Sequence, residues 1–347
     1  ENVDYIIAGE GEYIFQYLVN QLACGKEIPK STFTAERIHN LDALPLPSYK
    51  YLDMSKYIYS AERKSVDSPR AFPYARIMTS RGCPVGCCFC QVETISGSMF
   101  RPRSPENVLT EIQWLKETYG IESLIFDDDN LLYEKKRAKA IFQGMIDRNL
   151  TMPWSSIGLA VFKLDEELIK LMRQSGCEYV AVAIESGTER VLRQIINKPV
   201  SFDYAKKMVR MLKEQGIYVA ANFIIGFPTE TWDEIRETIR FAEEIDVDYA
   251  KFFHLVPLPR TRAWDLCEKE NAFNGNTELV WSKGNIETKD FTANDLTILR
   301  AYEWDRINFS NLEKRERTRN MMGITEEELN DIRKGTLGNA CKLIGVK

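Results

Sequence analysis

Only two histidines, His39 and His254, occur in the 347 residues, and no apolar run approaches the length a membrane-spanning helix needs, roughly 20 residues. Basic residues are not in excess: 46 Lys and Arg stand against 51 Asp and Glu, a formal net charge of −5. That balance gives no footing for a basic nucleic-acid surface. Low-complexity tracts are absent. The first residues, Glu1-Asn2-Val3-Asp4, lack the basic start and long apolar centre of a secretory signal. Disulfide density is missing too, since there are eight cysteines in the whole chain. Four of them are clustered, which suggests metal binding in a reducing compartment, and a cytoplasmic location is expected. Cys24, Cys177, Cys267 and Cys341 are scattered and read as small apolar core residues.

What is present is the make-up of a globular protein, 44% hydrophobic and 28% charged. A β–α alternation runs from residue 74 to about 270. Short apolar strands are expected at 75–79, 124–126, 154–159, 179–184, 217–225 and 249–256. Helices are expected between them at 105–119, 133–148, 165–174, 188–196, 202–215 and 231–244, with another after Thr261. Ser104 and Pro105 suit a helix start, and Gly120, Gly176 and Gly216 suit helix ends. Six such units predict an α/β fold, a partial (βα)6 TIM-like barrel with a parallel sheet. Every chemically suggestive group follows a strand: the cysteine cluster, the acidic run Asp127-Asp128-Asp129, Glu185, and the Gly226-Phe227-Pro228 turn. In such folds the carboxyl ends of the strands carry the active site. Four regions are expected: an N-terminal β-α unit at 1–30, an irregular linker at 31–73, the barrel at 74–270 and a polar, helix-rich extension at 271–347.

The most informative segment is Cys83-Pro84-Val85-Gly86-Cys87-Cys88-Phe89-Cys90. Its Cys83, Cys87 and Cys90 form a CxxxCxxC triplet. Soft thiolates select zinc, copper(I) or iron–sulfur clusters. Structural zinc commonly wants four ligands in two pairs, and no second pair exists. An electron-transfer cluster also needs a fourth cysteine, and Cys88, adjacent to Cys87, is poorly placed to reach another corner. The favoured reading is a 4Fe-4S cluster held by three cysteines, with one iron open to a ligand that is not protein. A zinc-stabilised barrel serving as a binding module is one alternative. The other is a non-catalytic iron–sulfur electron carrier or scaffold completed by Cys88 or another thiol.

The triplet, with Phe89 before its last cysteine and in the loop after the first barrel strand, resembles the radical S-adenosylmethionine (SAM) superfamily over residues 74–270. The resemblance implies that the open iron chelates SAM, and that reductive cleavage gives a 5′-deoxyadenosyl radical which abstracts hydrogen from a small-molecule substrate. It implies a low-potential electron donor such as a ferredoxin or flavodoxin. It also assigns positions: Phe89 approaching the adenine through its backbone, Asp127 and Asp128 near the methionine amino group, Glu185 on the ribose hydroxyls, and Ile224 against the base. The bland alternatives are helix capping or a solvated face for the aspartates, and a surface or capping role for Glu185. Asn222 replaces a glycine often found in the fifth-strand motif. An arginine common near the third strand is missing, so the resemblance leaves the SAM carboxylate without a cation. His254, at the end of the sixth strand, is a candidate acid or base if it faces the cavity and a core histidine if it does not. Arg260 is a candidate contact for an anionic substrate or a solvated side chain, and Cys341 a candidate radical-quenching thiol.

Residues 3–12, Val3-Asp4-Tyr5-Ile6-Ile7-Ala8-Gly9-Glu10-Gly11-Glu12, resemble the closing strand and helix of a cobalamin-binding domain, as in the cobalamin-dependent branch of the same superfamily. The alternative is a simple β-α unit leaning on the barrel. Cobalamin is expected only if an upstream domain exists. With it, methyl transfer to carbon leads, followed by rearrangement or ring formation.

Overall fold

The computed structural model of the chain describes residues 3–58, 65–273 and 279–345. In chain order its strands are β1 (Tyr5–Ala8), β2 (Ser31–Thr34), β3 (Tyr74–Ile77), β4 (Ser80–Arg81), β5 (Arg101–Pro102), β6 (Ser123–Phe126), β7 (Trp154–Leu159), β8 (Cys177–Glu185), β9 (Tyr218–Ile225) and β10 (Tyr249–His254). Its α-helices are α1 (Glu12–Ala23), α2 (Ser55–Ile58), α3 (Val92–Ile95), α4 (Pro105–Tyr119), α5 (Lys135–Asp147), α6 (Glu166–Gln174), α7 (Phe202–Glu214), α8 (Trp232–Glu244), α9 (Arg262–Lys269), α10 (Ala293–Phe309), α11 (Leu312–Met322) and α12 (Glu326–Leu343).

Six parallel strands form one sheet in the order β10-β9-β8-β7-β6-β3. Each new strand joins the same edge, as strand–helix–strand units do when they wind in one direction around a barrel. Among the described residues β3 and β10 do not pair, so the barrel is open. Alternation gives the sheet two faces. Val180, Val182 and Ile184 on β8, Val219, Ala221, Phe223 and Ile225 on β9, and Ala250 and Phe252 on β10 are buried in the main core with the helices. On the opposite, inner face Tyr179, Ala181, Tyr218 and Ala220 close against Val66, with Met321 and Met322 packed on them. Polar ties hold this plug: Tyr179 Oη and Lys251 Nζ donate to Asp67 at 2.6 and 2.5 Å, and Tyr218 Oη lies 2.7 Å from Thr318 Oγ1. The amino-terminal end of the barrel is therefore filled, which leaves the carboxyl ends of the strands for chemistry.

Helix ends follow local chemistry. Ser104 Oγ accepts from Asn107 N, Gly120 adopts φ 61° at the end of α4, and Thr231 and Thr325 each close a capping box. The segment expected to be an irregular linker from residue 31 contains a strand instead. β2 pairs in parallel with β1, Tyr5 opposite Ser31. The expected helix at 133–148 starts later, because Tyr133 N donates to Asn130 O in a turn that buries Leu131 and Leu132. The helix expected at 188–196 includes a π-type turn over Val191–Ile196 that stops at Asn197, φ 68°.

Candidate functional site

The cysteine loop leaves β4 and returns through β5, and contacts on three sides fix it. Gly82 N donates to Asp129 Oδ2 at 2.9 Å, and Cys83 N donates to Gly97 O at 3.2 Å. Gly82 has φ +84°, and a Cβ there would lie 2.2 Å from Met99 O, so only glycine fits. Behind the loop, Cys88 N donates to Ile196 O and Cys88 O accepts from Ala263 N, both at 2.9 Å. Asn197 Nδ2 reaches Val85 O at 3.3 Å, and the Arg262 guanidinium donates to Gly86 O. Cys88 is buried, and burial pushes its thiol up to about 12, with Arg262 opposing. It faces the α9 side and serves as core.

Cys83, Cys87 and Cys90 are only partly buried. Cys87 lies close enough to feel the charge of Cys90 and Cys83, and Cys90 that of Cys83. Among the described residues no three His, Cys, Asp or Glu side chains converge on one metal ion.

Beside them lies a cation that sequence patterns did not single out. Lys198 Nζ is 2.7 Å from Glu185 Oε1, with side chains 6% and 7% exposed. Burial works against the ammonium, yet Glu185, Cys87 and Cys83 outweigh it and hold the Lys198 pKa above its ordinary value. In return Lys198 opposes the burial that pushes the Cys87 thiol up to about 12. Glu185 ends β8 with φ 75°, just after a register shift against β9. Bulges and positive φ at a non-glycine residue turn a side chain out of the strand pattern and are held only by their surroundings.

The acidic run divides its work. Asp127 pairs in bidentate fashion with Arg76, at 2.5 and 2.6 Å. Asp128 was expected near the methionine amino group, but its Oδ1 accepts from Thr79 N at 3.1 Å, Thr79 Oγ1 at 2.7 Å and Ser80 Oγ. Burial raises its pKa against these bonds. It is a brace of the corner leading into the cysteine loop. Asp129 braces the loop itself through Gly82.

Phe89 directs its ring at Phe227, centroids 6.3 Å apart. Ile224 alternates with Phe223 and Ile225 and so lies on the inner face of β9, opposite Phe253 of β10. Asn222, on the same face, reaches across to Ile157 O at 3.4 Å. The turn after β9 is held by Glu230, whose Oε2 accepts from Gly226 N at 2.7 Å and Phe227 N at 3.1 Å. His254 does not face the cavity. It shares a strand face with Ala250 and Phe252, is buried beside Leu296 and Arg300 of α10, and its pKa is pushed down to about 3 by burial and then by Arg300. Arg260 is exposed, and Cys341 is on α12, in the extension beyond the barrel.

The sequence profile of the radical SAM superfamily matches residues 77–242. An uncharacterized methyltransferase of Pyrococcus horikoshii is 33% identical over 86% of this chain, and the cytidylyl-2-hydroxyethylphosphonate methyltransferase of Streptomyces wedmorensis is 32% identical over 67% of it. The chain spans 65% and 45% of those two proteins' own lengths. The solved structure of the cobalamin-dependent SAM radical enzyme OxsB, with aqua-cobalamin and SAM bound, superposes with a TM-score of 0.67 at 15% identity, covering 95% of this chain and 55% of that one. That similarity is one of fold. Among the described residues no helix is long and apolar enough to cross a membrane.

Proposed function

The chain belongs, through residues 77–242, to the radical SAM superfamily, and from that premise we propose that it is a radical SAM enzyme of the cobalamin-linked methyltransferase kind. The observation that carries the reading is the braced loop presenting three partly buried thiols beside a buried Lys198–Glu185 pair. A 4Fe-4S cluster with one iron free of protein, when bound, would supply the electron for reductive cleavage of SAM and so for hydrogen abstraction from substrate. Cys83, Cys87 and Cys90 hold three corners. Lys198 offsets the negative charge of the thiolates and supplies the cation for the SAM carboxylate that the third strand lacks. Glu185 turns its second oxygen to the ribose hydroxyls while Lys198 fixes the first. Phe89, with its ring drawn back to Phe227, offers its backbone to the adenine, and Ile224 packs against the base. Asp127 stands at the rim, where it meets the methionine amino group. A ferredoxin- or flavodoxin-type protein delivers the electron, and the enzyme works in the reducing cytoplasm.

The N-terminal region supports the cobalamin part of this reading. A parallel pair of four-residue strands is too small to stand as a sheet by itself. Tyr13, Phe15, Tyr17 and Val19 of α1 are exposed apolar side chains on that unit. We take residues 3–34 as the closing unit of a larger α/β domain that binds cobalamin, with methyl transfer to carbon as the outcome.

Anaerobic reconstitution with iron and sulfide, followed by electron paramagnetic resonance of the reduced protein, tests the proposal. SAM should alter the spectrum, and 5′-deoxyadenosine should form. Cys83→Ala, Cys87→Ala and Cys90→Ala should each abolish both, while Cys88→Ala keeps them. A spectrum indifferent to SAM ends the open-iron reading, and loss of the cluster in the Cys88 variant alone ends the ligand assignment.

A further inference from the structure

Asn130 follows the two bracing aspartates, Asp128 and Asp129, and among the described residues its side chain has no partner except a sulfur. It is 3% exposed. Its Nδ2 donates to Cys83 Sγ at 3.5 Å, while its Oδ1 is buried without a partner. The residue cannot swing aside: Asp129 is tied to Gly82 N, Asn130 O accepts from Tyr133 N at 3.2 Å, and Leu131 and Leu132 behind it are buried. A buried acceptor left unpaired costs about 1–3 kcal/mol, so the amide's orientation needs a cause. A ligating thiolate has no proton and can only accept, which fixes the amide with its N–H toward the sulfur.

We propose that Asn130 is a positioning residue that sets the reduction potential of the cluster through an N–H···S bond to Cys83. The inference rests on the reading of Cys83 as a cluster ligand. Hydrogen bonds to cluster sulfurs are among the levers by which a protein tunes potential. The reduced cluster carries one more electron, part of it on the sulfurs, so a donor stabilises the reduced form more than the oxidised form. The bond therefore raises the potential and eases reduction by the external donor. Its removal makes the potential more negative.

The test is a redox titration of the reconstituted protein, without substrate, followed by electron paramagnetic resonance. Asn130→Leu keeps the branched skeleton of the side chain and deletes the donor. Its iron and sulfide content should match the wild type, while its equilibrium constant for one-electron reduction falls by up to about tenfold, or 59 mV. SAM affinity of the reduced protein should be unchanged, because the contact Asn130 makes is with the Cys83 sulfur. An intact cluster with an unchanged potential overturns the proposal. If Asn130→Leu fails to assemble, Asn130→Asp, of the same shape, should show a potential still more negative than wild type, and an unchanged value there overturns it as well. Wild-type protein that takes up iron and sulfide but ignores SAM would remove the enzymatic reading and leave the Asn130 effect standing. Wild-type protein that takes up no cluster removes both.

Discussion

A lysine ammonium as enclosed as that of Lys198 is stable only with charged partners, and its partners are the groups the proposed chemistry uses. Lys198→Met keeps the length of the side chain and removes the charge. It should leave iron and sulfide content near the wild-type level and raise the Kd for SAM by tenfold or more, about 1.4 kcal/mol. A spectroscopic titration of the reduced protein with SAM reads this directly. Unchanged affinity would place the carboxylate's cation elsewhere. The residue was invisible in the sequence for a plain reason: its partner stands 13 positions away across a helix of irregular turn. The cysteine triplet was readable because all its members lie on one short loop and thiols have few uses. His254 shows the opposite limit. A strand-end position says that a side chain is near the site's level, but only the alternation with Ala250 and Phe252 shows which face it takes.

The turn after β9 depends on one carboxyl. Glu230 holds the N–H groups of Gly226 and Phe227, and Phe227 supports Phe89. Burial pushes its pKa up to about 8, with the two backbone bonds opposing. A carboxyl whose folded pKa lies above its unfolded value binds more protons in the folded state than in the unfolded. Its contribution is complete below about pH 4.5 and is lost as the pH rises toward 8. Glu230→Gln keeps an acceptor for both N–H groups and cannot ionise. Its Tm should match that of wild type near pH 5 and exceed it by several degrees at pH 8.5. Thermal melts at the two values decide it, and a gap that does not widen with pH denies Glu230 this role. Elements with their own local signals were legible from sequence in the same way as this turn's flanking helix: Ser104, Gly120, Thr231 and Thr325 mark helix ends through bonds made within a few residues. β2 was not, because Ser31-Thr32-Phe33-Thr34 is short and polar and becomes a strand only by pairing with β1.

At the scale of the molecule, the N-terminal unit and the cysteine loop are one mechanical system. Glu10 Oε1 accepts from Arg101 at 2.5 Å, and Oε2 accepts from Arg101 and from Ile38 N, both at 2.8 Å. Arg101 in turn donates to Ser96 O at 2.6 Å, next to Gly97, whose carbonyl holds Cys83 N. The chain of contacts runs from the turn after β1 to Cys83, the first cysteine of the triplet. Nothing in the local sequence announces it, since Glu10 and Arg101 are 91 positions apart. Glu10→Gln leaves the Arg101 guanidinium, 3% exposed, without its counter-charge. Breaking such a pair by removing one partner costs about 3 kcal/mol, so Tm should fall by several degrees at pH 7. Burial works against the Glu10 carboxylate, but Arg101 and Ile38 N outweigh it and hold its pKa below the ordinary 4.5. The stabilisation is therefore complete above about pH 4.5 and is lost as the pH falls through the lower folded value, where the two proteins should converge. The same substitution should speed the loss of iron to a chelator, because the loop that carries Cys83 loses its outer anchor. A variant with a lowered Tm and wild-type iron release would separate the two units and confine Glu10 to holding the N-terminal turn.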